Sequence, residues 1–173
     1  MQKLNYLVLI LTIALCCQTK IAAQPTGETL DQVELMKQFI GTWKSETGED
    51  TVIVLTFTPF GIAMKFDRKI EILADDKVHN YNLSGIYGFS TDRNRVEFVG
   101  AVPEGSISYD HGRFVTPTKY VAEMYVEDMK HPIALEEIEF LSPETMVTRS
   151  KFRGRKMSWD IGWEPSIKFR KID

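Results

Sequence analysis

From residue 62 to residue 72 the chain alternates in character. Ile62, Met64, Phe66, Ile70 and Ile72 are apolar, and Ala63, Lys65, Asp67, Lys69 and Glu71 stand between them. A period of two kept over that length specifies an extended strand with one face in a core and the other in water. The same pattern returns along the chain. Ile53, Leu55 and Phe57 share a face, as do Tyr81, Leu83, Gly85, Tyr87 and Phe89. Val96 with Phe98, and Tyr120, Ala122, Met124 and Val126, repeat it. Further strands are expected over 133–141, 145–152 and 167–172, and through Met157, Trp159, Ile161 and Trp163.

Turn chemistry separates these runs: Pro59-Phe60-Gly61, Asp75-Asp76, Asp92-Arg93-Asn94, Pro103-Glu104-Gly105, Asp110-His111-Gly112, Ser142-Pro143-Glu144 and Arg153-Gly154-Arg155. Each combines residues that accept tight backbone geometry. Evenly spaced hairpins with a single helix at the start argue against a parallel α/β sheet. They predict an all-β, up-and-down antiparallel barrel of 8–10 strands, which removes exposed edges by closing on itself. A two-sheet sandwich is the alternative topology. No internal repeat or low-complexity linker interrupts the chain, so 24–173 reads as one domain.

The helix precedes the strands. Thr29-Leu30-Asp31-Gln32 fits a capping box, with Thr29 as N-cap and Gln32 reaching back. Leu30, Val33, Met36, Phe39 and Ile40 then fall on one side. Gly41 ends the helix, because glycine accepts a positive φ there. A helix this short cannot bury its stripe alone. Its expected place is across one end of the barrel, as a plug.

Residues 1–23 carry a different signal. Lys3 is followed by an apolar run from Tyr6 to Cys17, broken only by Thr12, and then by Ile21-Ala22-Ala23. This is the pattern of a secretory signal peptide, with the cut expected after Ala23. The run is shorter than the roughly 20 residues that span a bilayer. An uncleaved anchor and a lipid on Cys16 or Cys17 are the alternatives; Leu15 is large for the position before a lipidated cysteine. Both cysteines lie in this leader, so the mature domain is expected to hold together without a disulfide. Cleavage removes Lys3 and Lys20 from 21 basic residues and none of the 24 acidic ones, which leaves a net charge of −5. Nucleic acid and anionic lipid are therefore not expected as main partners. The expected destination is the periplasm or the exterior. Oligomeric state is not legible, and no integral membrane segment is expected after cleavage.

With the leader, the short helix and Phe39-Ile40-Gly41-Thr42-Trp43 in place, the chain resembles the lipocalin and fatty-acid-binding-protein group, the calycins. It looks most like their small exported bacterial members. The resemblance spans 30–172 in architecture, and in motif only Gly41, Trp43 and Arg170. It implies that a basic residue of the last strand packs over the Gly-x-Trp tryptophan, which assigns Arg170 to Trp43. It implies a barrel that carries a small hydrophobic or amphipathic molecule. In this group internal arginines hold fatty-acid head groups. Haem-binding barrels of this shape carry a histidine near the C-terminus; this chain has none there, so no haem is expected.

The wall supplies a candidate lining: Met64, Phe66, Tyr87, Phe98, Tyr120, Met124 and Trp159. These residues either surround a ligand or fill a solid core. Arg68 shares the parity of Met64, Phe66 and Ile70. On a regular strand its guanidinium points inward and needs a carboxylate from protein or ligand. A bulge near it would instead turn it to solvent. His79, His111 and His131 lie in or near expected turns and make no close metal spacing; Asp110-His111 reads as part of a metal site or, more simply, as a turn. Glu136, Glu137 and Glu139 read as an acid/base pair or, more simply, a solvated face. No nucleophile elbow or phosphate loop appears, so an enzyme is not expected and no cofactor or metal is assigned. Three functions stay open: a ligand carrier, a filled barrel acting through rim loops near 103–118 and 128–132, and an isomerase or hydrolase using the cavity. An internal cavity above roughly 300 Å³ with Arg68 facing it separates the first from the second.

Overall fold

A computed structural model describes residues 30–46, 50–101, 105–127, 129–153 and 162–173. The signal-peptide assignment, Thr29 and Trp159 lie outside the described residues.

The chain forms a closed barrel of ten antiparallel strands, each hydrogen-bonded to its sequence neighbours, with the last closing on the first. The strands are β1 (Gly41–Ser45), β2 (Thr51–Phe60), β3 (Ala63–Ala74), β4 (Lys77–Ser90) and β5 (Arg95–Ala101), then β6 (Ile107–Thr116), β7 (Lys119–Val126), β8 (Ala134–Ser142), β9 (Thr145–Phe152) and β10 (Ile167–Lys171). The barrel expected from the alternation is the one observed, and the sandwich is not. Asp75 and Asp76 both take positive φ, 51° and 59°, the geometry of a tight hairpin turn between twisted strands.

The helix α1 (Gln32–Met36) runs into a 3₁₀ turn, Lys37–Phe39. Its N-cap is Asp31, whose side chain accepts from the Glu34 backbone N–H at 3.0 Å. Gln32 does not cap. Its amide is buried and pairs with β6: Nε2 donates to the Phe114 carbonyl at 3.1 Å, and Oε1 accepts from the Phe114 N–H at 2.7 Å. That two-point bond latches the helix to the wall and leaves neither buried amide group unpaired.

Phe39 is the centre of the plug. Its ring lies within 5.0 to 6.4 Å of Phe140, Phe57, Tyr120, Phe114 and Tyr87. Trp43 is fully buried, and its indole N–H donates to the Phe39 carbonyl at 2.7 Å. The tryptophan thus ties the first strand to the plug and satisfies its own polar handle. Gly41 has φ 126°, and a Cβ there would lie 2.3 Å from the Lys171 side chain.

Four local expectations fail, each for a tertiary reason. Asp110-His111-Gly112 is no turn; it runs through the middle of β6. Its turn-like composition serves packing, since a Cβ on Gly112 would meet the Tyr120 hydroxyl at 2.1 Å. Ile62 does not share the inner face of β3; it sits in the turn, 78% exposed. Tyr81 has inward parity yet is exposed, because the β3–β4 hairpin runs past the last paired residue of β5, Ala101. Trp163 lies in irregular chain, not in a strand, and meets the Arg149 guanidinium at 4.8 Å.

Candidate functional site

The barrel is packed shut at the helix end and hollow beyond it. A cavity of about 510 Å³ occupies the interior. Its floor is aromatic: Phe57, Phe66, Tyr87 and Phe98. Leu55, Leu83, Ile138 and Met124 form the sides, and Ile70, Phe152, Pro165 and Ile167 line its far part. The volume exceeds the lower bound for ligand pockets.

Arg68 faces this space. Leu55, Arg68 and Leu83 lie side by side on β2, β3 and β4, with no register shift along either ladder. No bulge turns the side chain away, so the alternation of β3 carries it into the cavity. Among the described residues no carboxylate lies within ion-pair distance of it.

Two acids share the cavity with it. Asp110 comes from β6 and is 4% exposed. Glu136 comes from β8, on the parity of Ala134, Ile138 and Phe140. Between them on β7 stands the small side chain of Ala122, paired with Gly112 on one side and Glu136 on the other. Burial, and then the Glu136 carboxyl, push Asp110 up to about 8, against the pull of Arg68 and the Tyr87 hydroxyl. Burial likewise raises Glu136, and Arg68 opposes it. Burial places both Tyr87 and Tyr120 well above the usual phenol range, with Asp110 adding to the shift. Asp110 Oδ1 and the Tyr120 hydroxyl are buried without a hydrogen-bond partner among the described residues. An apolar chamber therefore ends in a polar group of Arg68, Asp110 and Glu136, with two phenols close by; Arg149, already bound to Glu137, and Glu164 also border the cavity.

Of the expected lining, Arg68, Phe66, Tyr87, Phe98 and Met124 border the cavity. Met64 and Tyr120 do not; they are buried in the packed core. The cation over Trp43 is Lys171, 5.2 Å from the ring, and not Arg170. Register explains the correction: Lys171 is the direct cross-strand partner of Trp43, while Arg170 points outward and pairs with Glu46. Neither Asp110 nor Glu136 was expected in the cavity: one reads as part of a turn, the other as part of an acid/base pair or, more simply, a solvated face. The parity that selects Arg68 also selects Glu136, through Ile138 and Phe140, and selects Asp110 through Phe114.

A second hollow, about 450 Å³, lies on the outer wall among Arg93, Arg95, His111, Arg113, Glu137 and Trp163. Its charges are largely matched already. Arg93 and Arg95 both bind Glu97 at 3.0 Å, and Glu137 binds Lys119 and Arg149. Among the described residues no group of three or more His, Cys, Asp or Glu could hold a metal ion. No described helix is long and apolar enough to cross a membrane.

No family model matches the chain, and no curated protein does. Solved structures do. The chain shares its fold with Rv2717c from M. tuberculosis. That crystal structure aligns with a TM-score of 0.59 at 12% identity, over 83% of this chain and 99% of the other. At that identity the likeness shows the fold alone, and a closed barrel of this kind fits a calycin-like architecture.

Proposed function

We propose that this protein is an exported, lipocalin-like carrier that holds a small amphipathic molecule inside its barrel. The observation that carries the reading is an apolar cavity of about 510 Å³ with an inward arginine in its wall. A protein selected only to be stable gains nothing from such a void, since unfilled core volume costs stability. It also gains nothing from leaving the half-buried Arg68 facing it, because desolvating a cation without a close partner is costly. A ligand with an apolar body and a polar head removes both penalties. The leader pattern in residues 1–23 supports export, and the short helix, Gly41 and Trp43 support kinship with the calycins.

The test has two parts. Protein recovered from its native compartment is extracted into organic solvent and the extract analysed by mass spectrometry; a stoichiometric small molecule is expected. The emptied barrel is then titrated with Nile red, an uncharged lipophilic dye, and saturable one-to-one fluorescence is expected. An empty extract together with no saturable dye binding would reject the carrier reading.

A further inference from the structure

The chemistry around Arg68 narrows the ligand further, on the assumption that the carrier reading holds. An arginine in a barrel invites a carboxylate ligand. This cavity already contains two carboxyl groups, Asp110 and Glu136, aimed at the same space from β6 and β8. A third acid would have to lose its water beside both of them; the other guanidinium of the lining, Arg149, is already bound to Glu137, and Glu164 adds a further carboxyl. An ammonium head group meets the opposite obstacle, because Arg68 shares the chamber. What the wall lacks is a bridge. Arg68 offers donors and reaches neither carboxylate at ion-pair distance among the described residues. Asp110 Oδ1 is buried and has no hydrogen-bond partner among them.

We infer that the head group of the ligand is uncharged and both donates and accepts hydrogen bonds, as an alcohol or a primary amide does, and that it sits between the Arg68 guanidinium and Asp110 Oδ1. Its oxygen accepts from Arg68 and its hydrogen goes to Oδ1. Asp110 held in its neutral form strengthens the arrangement, since a carboxylic acid both donates and accepts. Each polar atom then finds a partner without a new charge entering the lumen.

Four ligands with the same tail separate the possibilities: decan-1-ol, decanamide, decanoate and decylamine, each used to displace Nile red from the full mature chain near neutral pH. The alcohol and the amide are expected to compete at least about tenfold more tightly than either charged compound, the direction set by the cost of burying an ion. Decanoate or decylamine as the tightest competitor would overturn the inference and leave the carrier reading standing. Displacement by none of the four, with no saturable dye binding, would overturn both. Two variants locate the contact. Asp110→Asn keeps a donor and an acceptor, and should retain the preference within a few-fold. Asp110→Leu removes both and should abolish it; if Asp110→Leu does not fold, Arg68→Met must reduce the preference in its place. A preference unchanged in whichever of these two variants folds would also overturn the assignment.

Discussion

The two ends of the barrel are built from the same alternation and do opposite things with it. At the helix end the inward residues are large aromatics gathered on Phe39, and no room is left. In the other half the inward residues of β3, β6 and β8 include Arg68, Asp110 and Glu136, and a chamber remains. One end is closed by rings in contact; the other leaves a cavity of about 510 Å³ bordered by charged side chains. The difference divides dense packing from open volume along the barrel axis, the division that a carrier would need if a rigid element is to position a loosely packed site.

The sharpest way to break this contrast is to cut the same kind of atoms from each end. Phe39→Ala should cost about 3–5 kcal/mol, the range for a buried phenylalanine, read by urea denaturation. Met124→Ala, in the cavity wall, should cost well under half of that, because its side chain already borders empty space. Equal costs would mean that the far half is as tightly packed as the plug.

The second test uses pH. Asp110 has a folded value of about 8, against about 3.9 for an unfolded aspartate. Folding therefore takes up a proton between those values. The contribution of Asp110 is fully present below about pH 4 and is lost as pH rises through about 8. The slope from this group approaches about 1.4 kcal/mol per pH unit in that window. Asp110→Asn should flatten the stability profile between pH 5 and pH 8, approximately the window named. An unchanged slope in denaturation midpoints would mean that the acid is not buried.

A third test asks whether the small residues of the wall are needed for close packing. Gly85 and Gly100 face each other across β4 and β5, and a Cβ on Gly85 would lie 2.4 Å from the Phe98 ring. Gly85→Ala should cost about 1–3 kcal/mol as the ring is forced off its seat, with a loss of near-ultraviolet circular dichroism. The smallest effect is expected outside. Arg93→Ala, which leaves Arg95 on Glu97, should shift the urea midpoint by no more than about 0.5 kcal/mol equivalent.

Much of the fold was legible because parity is local. Alternation along β3 places Met64 and Phe66 inward and Lys65 and Asp67 outward, whatever the rest of the chain does. The site was only partly legible for the same reason. Arg68 stood out because it interrupts an apolar face. Asp110 hid in a turn-like triplet, and Glu136 hid in a run with Glu137 and Glu139. The assignment of Arg170 to Trp43 failed by one residue, which in a strand is the whole difference between outside and inside.

By itself, then, the sequence determined which side chains could face inward, since a strand's period of two follows from covalent geometry. It also set a short helix just before Gly41 and Trp43, although the cap is Asp31 and not the Thr29–Gln32 box. Tertiary structure alone decided which inward residues meet. β3, β6 and β8 become neighbours across a lumen only when β10 closes on β1, and no short-range pattern encodes a distance across empty space. That closure gives Arg68, Asp110 and Glu136 a common chamber, and with it the raised pKa values of the two acids.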